Sequence, residues 1–172
     1  MIIRSATSSD LPAILDIYND AIINTTAVYD YKPHTLDMRQ KWFDEKREKD
    51  IPVLVSEIND TVVGFTSYGP FRAWPAYKYS VEHSVYVHRE FRNRGIARKL
   101  LVELIERVRT KNVHTIIAGI DGDNVVSIHL HKQLGFEDAG YFREVGYKFG
   151  KWLNLRFLQL ILNNRLRPTE GL

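Results

Sequence analysis

Residues 92–97 read Arg-Asn-Arg-Gly-Ile-Ala, an R-x-x-G-x-A pattern, and they fall where an amphipathic helix begins. Apolar residues at Ile96, Leu100, Leu101, Leu104, Ile105 and Val108 recur at helical spacing, which predicts a helix over about 95–109 with one buried face. Arg89, Arg92, Arg94, Arg98 and Lys99 crowd its amino end, where an even spread of the chain's 24 cations would leave about two. The helix macrodipole already makes that end positive, so added cations repel it unless an anion is held there. Small residues at Gly95 and Ala97 would let backbone N–H groups close on a pyrophosphate, with the arginines as screening charge. The competing reading is a solvated basic loop with a glycine at the helix entry; the position and density of the cations together favour the anion. No G-x-G-x-x-G follows a strand and no G-x-x-x-x-G-K-[ST] occurs, so dinucleotide and P-loop chemistry drop out.

Three other stretches carry groups able to do chemistry. In "SVEHSVYV" the alternation of a strand puts Val81, His83, Val85 and Val87 on one face and Glu82, Ser84 and Tyr86 on the other. A carboxylate inside so apolar a strand is there to pair with an arginine or to move protons. His131, in "LHKQLGF", is either a core histidine or a proton carrier, since an imidazole titrates near 6.5. His129 points elsewhere on the same helix, so no zinc pair is expected. "PFRAWPAYKY" surrounds Arg72 with Phe71, Trp74, Tyr77 and Tyr79 on a proline-punctuated loop. Those rings suit either a binding loop or packing over the core or a subunit contact.

Composition narrows the class. With no cysteine there is no disulfide framework, no thiolate metal site and no cysteine nucleophile. Hydrophobic residues at 44% and charged residues at 26% suit an ordinary soluble domain, and a net charge of +3 is too small to argue for nucleic acid. No apolar run approaches the roughly 18 residues of a membrane span, and "MIIRSATSSD" lacks a signal-peptide core. The expectation is a cytoplasmic protein with no membrane partner, made of a single domain over 1–163 and a polar tail over 164–172 that frays.

The elements that would position these groups follow from the pattern. "MIIRSA" reads as a strand, and a helix follows with Ser8 or Ser9 as cap and Leu11, Ile14, Leu15, Tyr18 and Ile22 inward. Thr35 caps a second helix bearing Trp42 and Phe43. Two strands flank "INDT" as a hairpin turning at Asn59-Asp60. After the Arg-rich helix, "VHTIIAGI" is a strand too apolar for a wet face. "VVSIHLHKQLGF" is a short helix with Val125, Ile128, Leu130 and Leu134 as its apolar set and Gly135 as C-cap, and strand broken at Gly150 fills the rest. Strands with interposed helices imply an α/β (α+β) fold, a mixed central sheet covered on both faces. In such sheets ligands bind where a strand's carboxyl end meets a helix's amino end, as at "SVYVHREFRNRGIA".

The segment over about 80–136, with "VYVHREFRNRGIARKLL" and "LHKQLGF", resembles the acetyl-CoA-binding core of the GNAT N-acetyltransferases, whose hallmark is Q/R-x-x-G-x-G/A. "VEHSVYV", "LHKQLGF" and "GYKFGKW" are similar, over nearly the whole chain, to the phosphinothricin and methionine sulfoximine acetyltransferases. The resemblance implies the three-layer αβα GNAT fold and direct transfer of acetyl from acetyl-CoA to the primary amine of a small amino acid, with no metal and no covalent enzyme intermediate. It implies that the backbone of Val85, Tyr86 and Val87 pairs with the pantetheine arm. It gives the pyrophosphate to Asn93, Arg94, Gly95, Ile96, Ala97 and Arg98, and a cofactor contact to Asn124, which serves equally as a helix cap. Arg72, Ala73, Trp74, Glu82, His83 and Ser84 would meet the amine substrate, with the Arg72 fork suited to a carboxylate.

A primary ammonium must lose a proton before it attacks, which makes Glu82 the expected base, directly or through water. Many GNAT enzymes carry a tyrosine acid where this chain has His131, a departure shared with the phosphinothricin group. It leaves His131 as acid, second base or substrate-orienting group. The related enzymes are homodimers, which the residues alone do not show. Acetylation of peptide N-termini or a polyamine is the alternative within the family. Outside it stands a nucleic-acid binder, for which "GIDG" at 119–122 mimics a phosphate clamp but lies after a buried strand.

Overall fold

The computed structural model describes residues 1–162 and 168–170. In chain order the elements are β1 (Ile2–Ser5), α1 (Leu11–Asn24), α2 (Leu36–Glu48), β2 (Leu54–Ile58), β3 (Thr61–Pro70), β4 (Ser80–Val87), α3 (Ile96–Arg109), β5 (Thr115–Asp121), α4 (Val125–Gln133), β6 (Glu137–Lys148) and β7 (Lys151–Ile161). The strands form a mixed seven-stranded sheet in the order β1-β2-β3-β4-β5-β7-β6. The pairing of β4 with β5 is parallel, whereas β1 with β2, β2 with β3, β5 with β7 and β6 with β7 are antiparallel. The chain divides into two compact units, one of residues 1–67 and 84–104, the other of residues 68–83 and 105–172.

In the first unit, α1 opens one step later than the sequence suggests. A single 3-10 turn at Ser8–Asp10 precedes it, and the capping groups are Thr7 and Asp10 rather than Ser8 or Ser9. Asp10 wins because its carboxylate accepts the Thr7 N–H at 2.7 Å and both Arg4 Nη groups at 2.7 and 2.9 Å. Arg4, also bonded to Glu57, thereby holds the Asp10 carboxyl below its ordinary pKa. Thr35 caps α2 as expected, accepting the Met38 N–H at 3.2 Å. Leu11, Ile14 and Ile17 of α1 and Phe43 of α2 close one core with Val53, Val55 and Phe65.

Phe65 and Gly64 alternate on β3, so they face opposite ways. A Cβ at Gly64 would lie 3.2 Å from Leu100 Cδ1 and 3.3 Å from Ile96 Cγ2, which places the first half of α3 on the face away from α1 and α2. The hairpin from β2 to β3 turns at Asn59 and Asp60, whose φ values of 48° and 59° are those of a type I′ turn.

In the second unit β5 is flanked by β7 and, over Ser80–Glu82, by β4. Phe149 and Gly150, both left-handed, turn β6 back into β7. Helix α4 departs from expectation at its first turn, because Val125 is 69% exposed and the buried stripe consists of Ile128 and His131. Leu130 and Leu134 are half-buried. Gly135, at φ 89°, ends the helix as foreseen. Residues 163–167 and 171–172, most of the expected polar tail, lie outside the described residues. Within the described part, the Thr169 N–H donates to Tyr79 Oη at 2.9 Å.

The tight approach at Gly64 yields a test of the fold. A Cβ there would stand 2.9 Å from the backbone carbonyl of Tyr86, a distance side chains do not tolerate. Gly64→Ala should lower the unfolding free energy in urea by about 1–3 kcal/mol, and an unchanged midpoint would mean that the strands are not this close.

Candidate active site

The loop into α3 is built from two left-handed residues, Asn93 at φ 62° and Gly95 at φ 73°. A Cβ at Gly95 would meet nothing within 4 Å, so the glycine serves the backbone angle and not a crowded space. Lys99 N–H bonds to Gly95 O at 3.2 Å as the helix begins, which leaves the N–H groups of Ile96, Ala97 and Arg98 ahead of the helical ladder. Asn93, Arg94, Gly95, Arg98 and Lys99 are exposed around them, Ala97 is half-buried and Ile96 anchors the turn in the core.

Two of the crowded arginines are braced by the fold. Arg92 reaches Asp20 at 3.2 Å and the Val87 carbonyl at 3.3 Å, while Arg89 meets the other Asp20 oxygen at 3.6 Å. Arg94 stacks on Phe91 and bonds to the Glu90 carbonyl. Asp20 thus offsets part of the repulsion that the sequence alone would assign to this end.

On β4, Val85, Tyr86 and Val87 are half-buried. The Ser84 carbonyl accepts the Thr66 hydroxyl at 2.7 Å, and the Tyr86 ring packs against Phe65 and, edge-on, Tyr18. The side chain of Tyr86 is therefore a structural element of the first unit, whatever its backbone holds.

Glu82, earlier on the same strand, belongs to the second unit. Its carboxylate makes no ion pair or hydrogen bond among the described residues. Burial raises its pKa above the ordinary carboxylate value, and the nearby Arg72 charge offsets part of that rise. Pairing with an arginine, the competing explanation for an acid on this strand, is thus reduced to a through-space influence. Room for the carboxylate comes from Gly119 on β5, where a Cβ would stand 2.7 Å from Glu82 Oε1. In the sequence Gly119 is marked only as a glycine in the middle of an otherwise apolar strand.

The loop before β4 is exposed through Arg72, Ala73 and Trp74, the last at 67%. Phe71 ties it down edge-on against Phe157, and the Arg72 guanidinium lies over the Phe71 ring at 5.0 Å. Tyr77 packs against Phe71, with Trp74 beside it. One anchored ring holds an aromatic loop on which Trp74 and Tyr77 remain exposed.

His83 and His131 face each other in the interior, their Nε2 atoms 3.0 Å apart and their rings stacked at 5.0 Å. His131 is 2% exposed, and its Nδ1–H donates to the Ser127 carbonyl at 2.6 Å. That bond fixes the tautomer: His131 Nε2 accepts and His83 Nε2–H donates, leaving His83 Nδ1 without a partner among the described residues. Burial pushes His83 down to about 3 and lowers His131 as well, so both rings are neutral near pH 7. Asn124 caps α4 by accepting the Ser127 N–H at 3.1 Å, and its exposed side chain leaves a second contact open. No group of three or more metal-ligating side chains occurs among the described residues.

The sequence and the fold are similar to those of known proteins. The model of the acetyltransferase (GNAT) domain matches residues 3–155. The L-methionine sulfoximine/L-methionine sulfone acetyltransferase of Pseudomonas aeruginosa is 46% identical over 98% of this chain and 96% of its own length. The L-amino acid N-acyltransferase of Escherichia coli is 42% identical over 98% of each chain. A phosphinothricin acetyltransferase of Sinorhizobium meliloti, solved in complex with acetyl-CoA, superposes with a TM-score of 0.94 at 34% identity, covering 99% of this chain and 94% of that one. With a strand of "SVEHSVYV" leading into an R-x-x-G-x-A helix start on a seven-stranded mixed sheet, the chain belongs to the GNAT acetyltransferases.

Proposed function

We propose that this enzyme moves the acetyl group of acetyl-CoA to the α-amine of a small amino acid of the methionine sulfone or sulfoximine type, with residues 1–163 working as one catalytic domain in the cytoplasm. The observation that carries the reading is Glu82: a half-buried carboxylate with no partner among the described residues and a raised proton affinity. The relatives' substrates, together with the exposed Arg72 on its aromatic loop, support an amino acid as acceptor.

In this mechanism the pyrophosphate of acetyl-CoA rests on residues 93–98, where Ile96, Ala97 and Arg98 supply N–H groups outside the helical ladder. The backbone of Val85, Tyr86 and Val87 holds the pantetheine arm, and Asn124 meets the donor from its cap position. Arg72, with Ala73 and Trp74, receives the amino acid's carboxylate. Glu82 takes one proton from the ammonium, directly or through water, and the freed amine attacks the thioester carbonyl. The tetrahedral intermediate collapses by breaking the C–S bond, the thiolate takes up a proton, and the nitrogen sheds its second proton to leave an amide. His83 and Ser84 flank the base on β4. Since both nitrogens of His131 are engaged, its part here is to orient β4 through His83 and not to deliver a proton.

The homodimer is proposed on the β6–β7 hairpin. Tyr141, Phe142, Val145, Tyr147 and Phe149 are exposed on or beside the edge strand, with Trp152 of β7 60% exposed. An edge strand left uncovered by the described residues and bearing so many rings is a surface that pairing would hide. Trp152→Glu should shift the chain to a monomer in light scattering after size exclusion, and an unchanged mass would place the contact elsewhere.

Glu82→Gln should lower kcat by about 10²- to 10⁴-fold with folding intact. Only the ionised form is a base, so kcat/KM should rise with pH through a pKa above the ordinary carboxylate range, and the variant should lose that acidic limb. Wild-type-like turnover by Glu82→Gln would remove the assignment. Gly119→Ala keeps the carboxylate but displaces it, and should reduce kcat more than KM while the urea midpoint moves little.

A further inference from the structure

The first unit contains a cavity of about 200 Å³ that the proposed chemistry does not use. Its walls are the rings of Tyr18, Trp42, Phe65 and Tyr86, and Arg39 and His34 supply its polar side, with Ser84 at its border on β4. Arg39 is 3% exposed. Its guanidinium carbon sits 4.0 Å from the Tyr18 ring centre and 4.7 Å from that of Trp42. Nη2 lies 3.2 Å from His34 Nδ1, and Nε has no hydrogen-bond partner among the described residues. Asp30 engages the other nitrogen of the His34 ring at 3.1 Å, which leaves Nδ1 as the acceptor facing Arg39. No carboxylate among the described residues pairs with Arg39 itself.

A buried cation without a counterion is expensive, and two aromatic faces repay only part of the lost hydration. Elsewhere the same unit satisfies an arginine fully, with Arg4 held by two carboxylates. A donor-rich group left short of acceptors in an aromatic cavity is built for a ligand that brings oxygens on an apolar stem. The aromatic walls select which end of an amino acid that is, since they suit an apolar stem and not a charged ammonium. An α-carboxylate is only two bonds from the amine nitrogen, whereas the sulfur of methionine sulfone is four bonds away, at the end of an extended side chain.

Resting on the acetyltransferase reading above, we propose that this cavity binds the oxygenated end of the substrate's side chain, the S=O or S=NH groups of a sulfone or sulfoximine. Arg39 donates to those groups, and the four rings hold the methyl and methylene carbons. Arg39 is thereby a specificity determinant that separates oxidised methionine analogues from amino acids of similar length without side-chain oxygens.

The test compares wild type, Arg39→Met and Arg39→Lys on four amines: methionine sulfone, methionine sulfoximine, norleucine and 3-(methylsulfonyl)propylamine, which is the sulfone without its carboxylate. Loss of a charge-assisted donor should raise KM for the three sulfone or sulfoximine compounds about 10- to 100-fold, with kcat and the KM for acetyl-CoA little changed and norleucine unaffected. Arg39→Met removes an uncompensated buried charge and should melt no lower than wild type. If it nevertheless fails to fold, Arg39→Lys carries the same comparison, since a lysine lacks the planar fork. An equal loss for norleucine, or none for methionine sulfone, overturns the assignment. So does a loss that disappears for the decarboxylated sulfone, which would give the guanidinium to the carboxylate. Acetylation of none of the amines by the wild-type enzyme would instead defeat the amino-acid reading and is told apart by that pattern.

Discussion

Withdrawal from water raises a carboxylate's proton affinity as long as no cation sits against it, and strand β4 of this chain provides such a place. Val81 before Glu82 is buried, the neighbouring strand offers Gly119 where a side chain would collide, and Arg72 acts only through space. Each part is needed. With a side chain at Gly119 the carboxylate would turn toward water, and with an arginine in contact it would remain a weak base held in an ion pair. The parallel register Glu82↔Ile117 puts Gly119 two residues further along β5, so the space for the acid is a property of strand pairing as much as of sequence.

The opposite face of β4 solves a different problem. His83 and His131 form a neutral pair in which one donates and the other accepts, and the Ser127 carbonyl on α4 sets the direction. The arrangement leaves His83 Nδ1 unsatisfied, a cost that a purely apolar contact would avoid. In return, β4 and α4 of the second unit are joined by a directional bond and a stacked contact. The bond depends on neutrality: folded-state affinities are depressed, so the pair's stabilisation is complete above the ordinary imidazole range. It fades as pH falls from about 6.5 toward 3, where the unfolded chain takes up protons that the native pair resists.

Periodicity was enough for the framework. Ile96, Leu100, Leu101, Leu104, Ile105 and Val108 are all buried on α3, Thr35 caps α2, Asn59-Asp60 turns the hairpin and Gly135 closes α4. The misplaced details are those that pattern does not govern. Val125 fits the helical stripe of α4 but occupies a first turn that faces water, and Thr7 with Asp10 displaces Ser8 and Ser9 because Arg4, distant from any capping rule, reinforces the carboxylate. Among the candidate groups, Glu82, Arg72 and the Arg-rich turn were visible as residues of the wrong type for their surroundings. Gly119 and the His83–His131 bond were not, since each depends on which strands and helices lie side by side.

Arginine is used here in two electrostatic regimes, and the contrast explains why local crowding is a poor guide to where charge matters. Arg89, Arg92, Arg94 and Arg98 lie at the surface, where water and salt weaken their mutual repulsion and one aspartate, Asp20, braces two of them. Arg39 shares its stretch of sequence with Lys41, Lys46, Arg47 and Lys49, yet of these five cations it is the one withdrawn from solvent between two rings. A charge in that position interacts strongly with whatever enters the cavity, because the low-polarity walls that make it costly also leave its field unscreened. Discrimination between small molecules that differ by an oxygen requires a donor of that kind, fixed in place before the ligand arrives and poorly served when the oxygen is missing.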